Sequence, residues 1–187
     1  MKNNQPSLTR EQIDSVTTLY SNGQFLEVVD AIKILNESYP NVPLLFNIIG
    51  ASYKALGQLD AAIQMFEHAI IIKPDYAEAH KNLGITLKSL DRFDAAVISF
   101  KQSIALEPNN IDTHYNLAVT FKAMSHLESA VESYEKVISL RPDFFEAHNN
   151  LGNVFKDLNL LDDAVSYTHL RAHETPEHLV CRLLLEK

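Results

Sequence analysis

The chain has a single cysteine, Cys181, so an intrachain disulfide framework is excluded and a reducing compartment fits best. We therefore expect a cytoplasmic protein. Basic residues are in deficit: 16 Lys and Arg stand against 24 Asp and Glu, a formal charge of −8. A phosphate-backbone binder needs a basic stripe, so nucleic acid is not the expected partner. No apolar run approaches the roughly 18 residues needed to span a bilayer, so no membrane partner is expected. The start, "MKNNQPSLTR", has no apolar stretch behind its lysine and is not a secretory signal. What the chain does have is a normal globular share of apolar residues, 46%, enough for a sizeable core.

Those apolar residues recur. "AEAHKNLGITLKSLDRFDAAVISFKQSIALEPNN" from Ala77 and "IDTHYNLAVTFKAMSHLESAVESYEKVISLRPDF" from Ile111 align without a gap at a period of 34 residues. The frame also starts at Pro43 and Phe145, with a degenerate copy from Thr9. Ile49, Leu83, Leu117 and Leu151 share one slot, and Gly50, Gly84, Ala118 and Gly152 follow. Tyr53, Leu87, Phe121 and Phe155 come next, then Ala62, Ala96, Ala130 and Ala164, then Phe66, Phe100 and Tyr134. Pro74, Pro108 and Pro142 close their copies.

Each copy holds two amphipathic stretches with helical spacing. The break between them carries Gly23, Gly57, Asp91, Ser125 or Asn159, types that suit a left-handed helix end or a turn. Asp60, Asp94, Glu128 and Asp162 open the second stretch, where the helix dipole favours a negative charge. The closing proline ends it. Small slots let the paired helices approach and large slots fill the space between copies. No copy can bury its apolar face alone, so the copies must stack.

Period and slots together resemble the tetratricopeptide repeat over residues 9–164. The resemblance implies an all-α fold, a right-handed α-solenoid of antiparallel helix pairs. The expected organisation is an N-terminal tail (1–8), a divergent repeat (9–42), repeats at 43–76, 77–110 and 111–144, and a truncated repeat (145–164). Two departures stand out. The family's tryptophan slot holds Phe46, His80, His114 and His148. The first copy has Ser15 and Val16 where Leu-Gly is expected, but its Gly23, Val28, Leu35 and Pro40 keep the frame, and Thr9 with Gln12 reads as a capping box.

The end of the chain, "THLRAHETPEHLVC" and its flanks, tempts a zinc reading through His169, His173, His178 and Cys181, with Glu174 as a base. The repeat argues otherwise. It breaks after Ala164, with Thr168 and Arg171 in core slots. Val165 to Glu174 and Leu179 to Leu185 resemble the translation of a sequencing-library adapter. Residues 165–187 are therefore set aside as an artefact tail, the gene is expected to run on past the truncated copy, and neither a metal nor a cofactor is expected.

Functional residues are expected on the first helices, which line the inner face in this family. Asn82, Asn116 and Asn150 form one row, Lys54, Lys88, Lys122 and Lys156 another, and Glu78, Asp112 and Glu146 a third. A primary amide both donates and accepts, so an asparagine row can grip peptide backbone with little regard to its side chains. "AEAHKNLG", "THYNLA" and "EAHNNLGN" resemble the arm of O-linked N-acetylglucosamine transferases, which implies substrate-peptide contact at Asn82, Asn116 and Asn150. Ile48 breaks that row in the preceding copy. The lysine row offers a competing reading, electrostatic binding of an acidic partner, although such rows also form self-compensating solvated faces. The histidines lie too far apart to share a metal ion and read as semi-buried aromatic substitutes. A two-carboxylate chaperone clamp is not supported, since Glu78, Asp112, Ile85 and Val119 occupy slots where it needs Lys and Asn. RNA-binding repeats are disfavoured by the period and the charge.

Residues 1–164 offer no nucleophile–base pair or phosphate loop. The expected function is a non-catalytic scaffold that binds an extended peptide or partner helix in a groove. The alternative is the substrate-recruiting arm of a larger glycosyltransferase or sulfotransferase.

Overall fold

The computed structural model describes residues 8–158. The break expected at Asn159, the second half of the truncated copy and the tail with His169, His173, Glu174, His178 and Cys181 lie outside the described residues. Within them are nine α-helices and no strand: α1 (Arg10–Ser21), α2 (Phe25–Ser38), α3 (Pro43–Ala55), α4 (Leu59–Ile72), α5 (Ala77–Lys88), α6 (Phe93–Leu106), α7 (Ile111–Ala123), α8 (Leu127–Leu140) and α9 (Phe145–Asp157). The all-α helix-pair class is the one observed.

Local chemistry sets the ends. Thr9 closes a capping box with Gln12, its backbone N–H donating to Oε1 at 2.9 Å. Pro43 occupies the first turn of α3, where its missing N–H costs nothing. Asn110 caps α7 by accepting from the Thr113 N–H at 3.1 Å. Each first helix of the first four pairs ends in the same motif. Gly23, Gly57, Asp91 and Ser125 have φ of 76°, 76°, 56° and 59°. In the second pair the Gly57 N–H donates to Lys54 O and the Gln58 N–H to Tyr53 O, and the other three turns repeat this pattern. These crossed bonds satisfy carbonyls that the helix end would leave open.

The chain forms two compact units, Met1–Glu107 and Pro108–Lys187. In the first, α1 to α6 pack in sequence and α5 also touches α3. Val16, Val28, Val29, Ile32, Leu45 and Ile49 form a core shared by α1, α2 and α3. Gly50 and Gly84 let α3 and α5 approach their partner helices. A Cβ on either would lie 2.6 Å from the ring of Phe66 or Phe100, both fully buried. In the second unit α8 packs on α7 and α9. Ala118 takes the glycine slot there and Tyr134 the aromatic one, and both are fully buried.

Candidate functional site

In the first unit, α3 and α5 carry a polar network. The Asn82 side-chain amide donates to Asn47 Oδ1 at 3.1 Å and to Glu78 Oε1 at 3.4 Å. Both asparagines are buried, at 9% and 7% exposure. Tyr76 shares a hydrogen bond with Asn47; burial and then the Glu78 charge push its phenol above the usual range, and that bond works against them. Glu78 Oε2 pairs with Lys81 Nζ at 2.8 Å, and the Lys81 side chain is only 15% exposed.

Two lysines of the predicted row adjoin this network. Lys54 and Lys88 are half-buried and stand in the last turns of α3 and α5, where the helix dipole favours a cation. Burial, then the Lys81 charge, holds Lys54 below the usual lysine range, with Glu78 opposing. Burial, then the Lys54 charge, does the same to Lys88. Lys54 and Lys81 thus both feel the Glu78 carboxylate, and Lys54 in turn acts on Lys88, in a chain whose formal charge is −8.

In the second unit, the Asn150 amide donates to the Tyr115 hydroxyl at 3.0 Å, tying α9 to α7. Asn116 donates to the Asp112 carbonyl of its own helix at 2.8 Å. The Tyr115 ring lies 5.2 Å from that of Phe144 and edge-on to Tyr134 at 6.0 Å. The Tyr134 hydroxyl is buried without a hydrogen-bond partner, and burial pushes its phenol far above the usual range. Lys122 and Lys156 are half-buried in the last turns of α7 and α9. Glu146 is exposed.

The predicted asparagine row is thus not a row of open amides. Each of its members donates within the protein, and Asn82 is buried. The cross-copy bonds do not join like slots either. Asn47–Asn82 and Tyr115–Asn150 both span 35 residues, one more than the repeat. Side chains on a helix lean toward its N-terminus, so the partner across a packed pair need not share its slot number. Asn47, Tyr76 and Tyr115 were therefore missed by slot-matching, and a search for polar pairs at that longer separation would have found two of them.

The histidine row does a structural job. The Nε2 atoms of His80, His114 and His148 bond to the carbonyls of Pro74, Pro108 and Pro142 at 3.0, 2.9 and 2.9 Å. Each histidine ties the start of its helix to the turn before it. Phe46, in the same slot, stacks on His68 at 4.2 Å instead. Among the described residues no three His, Cys, Asp or Glu side chains cluster as a metal site, and no helix is long and apolar enough to cross a membrane.

Comparison with known proteins gives a consistent picture. A TPR repeat profile matches residues 50–91 and 124–159, and two tetratricopeptide repeat profiles match 99–132 and 77–110. A peroxisomal targeting signal receptor from Kluyveromyces lactis is 32% identical over 74 residues, 40% of this chain and 13% of the receptor's length. A crystal structure of MamA superposes with a TM-score of 0.77 at 28% identity, covering 81% of this chain and 89% of that one. MamA from Desulfovibrio magneticus RS-1 gives 0.79 at 17% identity, covering 95% and 97%. YrrB, described as a TPR protein with an unusual peptide-binding site, gives 0.77 at 16% identity, covering 94% and 91%. The last two likenesses concern the fold alone.

Proposed function

The chain belongs to the tetratricopeptide repeat family, and from that premise we propose that it is a non-catalytic scaffold holding an extended peptide segment or partner helix on the face made by its first helices. The observation that carries this reading is the set of pre-oriented polar side chains on that face. Asn150 is held by Tyr115, and Asn82 is held by Asn47 and by Glu78, whose charge also acts on Lys54. A side-chain amide whose N–H is already anchored points its carbonyl in a fixed direction, ready to accept from a peptide N–H with little further ordering cost. In the second unit, taken by itself, Asn116, Lys122 and Lys156 occupy the corresponding slots. The peptide-binding site named for YrrB and the targeting-signal recognition named for the Kluyveromyces receptor support a protein or peptide ligand. The acidic balance supports it over nucleic acid.

The test is selection of binders from a displayed library of short unstructured peptides against the full chain. Replacing Asn116 and Asn150 together with Ala is expected to weaken the selected binders by about 1–3 kcal/mol, as two neutral hydrogen bonds are lost. Glu132→Ala, on the exposed side of α8, is expected to leave them unchanged. A library that yields no binder, or binders indifferent to the asparagine pair, would overturn the reading.

A further inference from the structure

We infer that the Lys54 ammonium is the anchor for an acidic side chain, Asp or Glu, of the bound segment. The inference rests on the reading above that the first-helix face holds such a segment, and it adds the chemistry of the ligand.

The case starts from the counter-charges. Lys54 is half-buried, and its ammonium has no ion pair or hydrogen bond among the described residues. The one carboxylate that acts on it is Glu78. Both oxygens of that carboxylate are committed: Oε2 to Lys81 at 2.8 Å and Oε1 to the Asn82 amide at 3.4 Å. Lys81 and Lys88 add like charge to its surroundings. The C-terminal carbonyls of α3 supply only partial negative charge, and the Lys54 carbonyl already accepts from the Gly57 N–H. A cation in this position lacks the partner that burial ordinarily demands.

A carboxylate arriving on this face removes the imbalance. It finds one ammonium unengaged and two more nearby, all half-buried, where salt screens less than between fully exposed charges. A half-buried Lys54 has less side-chain freedom to lose on binding than a fully exposed lysine. The occupant is a side chain of a peptide and not a polyphosphate. The cationic neighbourhood is three lysines of α3 and α5, and the chain as a whole carries −8, which repels a long polyanion. The anchor itself, Lys54, stands in the last turn of α3 and not in an inner slot of a chaperone clamp.

The experiment uses the same displayed library with the full chain, Lys54→Gln, Lys54→Glu and Lys33→Gln. Lys33 is an exposed lysine of α2 paired with Asp30 at 3.5 Å, and its replacement removes the same charge elsewhere. Binders of the unaltered chain should carry Asp or Glu at a fixed position. Exchanging that residue for Gln or Asn in the peptide should weaken binding about tenfold to a hundredfold, the worth of a charged hydrogen bond. This arm leaves the protein untouched and so cannot fail through misfolding. Lys54→Gln should lose the acidic preference, Lys54→Glu should select Lys or Arg instead, and Lys33→Gln should change nothing. Binders without an acidic preference, or a preference that survives in Lys54→Gln, would overturn the anchor while leaving peptide binding standing. A library with no binders would overturn both.

Discussion

Replacing Asn82 with Ala tests the network directly. The side chain is buried and donates to Asn47 Oδ1 at 3.1 Å and Glu78 Oε1 at 3.4 Å. Its removal deletes a bridge between α3 and α5 and leaves the buried Asn47 carbonyl with less than it had. A buried group stripped of its partner costs about 1–3 kcal/mol, and that is the expected loss of stability. Asn150 occupies the same slot two copies on but is half-buried, so water can replace its bond to Tyr115. Asn150→Ala should therefore cost no more than about 1 kcal/mol. The double variant Asn47→Ala, Asn82→Ala should lose less than the sum of the two single changes, because the orphaned carbonyl goes with it. Urea denaturation followed by circular dichroism measures all four. If Asn82→Ala falls within about 0.5 kcal/mol of the unaltered chain, or if the two asparagines prove equivalent, the bridging role is refuted. The result also governs how binding is tested, since a variant lacking all three row asparagines would mix lost contact with lost stability.

Two further outcomes are expected. Leu117 is 6% exposed, so Leu117→Ala should cost about 2–5 kcal/mol, whereas exposed Glu132→Ala should stay within about 0.5 kcal/mol; equal effects in denaturation would refute the packing frame. The third concerns pH. Burial holds Lys54 and Lys88 below the ordinary lysine value of 10.5, so between the lowered values and 10.5 the unfolded chain holds more protons and stability rises with pH. Tyr76 and Tyr134 are shifted upward from 10.0, so stability falls as pH climbs past that value. Lys54→Met should be more stable than the unaltered chain at neutral pH, and its advantage should shrink as pH approaches 10.5. A pH-independent difference in denaturation midpoints would refute the buried-charge argument.

The fold was legible because its signals repeat. Gly23, Gly57, Asp91 and Ser125 were picked out by type alone, and all four adopt the left-handed conformation that ends a first helix. Helices begin at Pro43, Ala77, Ile111 and Phe145, where the frame starts its copies. The site was legible only as slots. Asn82 and Asn150 have partners across the copies, but those partners, Asn47 and Tyr115, sit in a neighbouring slot, so the period hid them. Tyr76 gave no periodic signal at all, because its equivalents are Asn110 and Phe144. The lysine row named its residues without their environment. Burial depends on what packs around a stem, and no spacing rule distinguishes a half-buried lysine from a solvated one.

The histidine–proline tie bears on how such a chain can grow. Donor and acceptor are six residues apart in each of three copies, Pro74 with His80, Pro108 with His114, and Pro142 with His148. An in-register recombination between these copies, even one falling inside that short segment, joins a proline of one to a histidine of another at unchanged spacing. The joint is regenerated whichever parent supplies each half. Only a crossover that brings in Phe46 changes it, and then the ring must find a stacking partner such as His68. Copies of this kind can be gained or lost by unequal exchange without a new junction having to evolve, and the length of the array becomes a variable that selection can adjust separately from the sequence of any one copy.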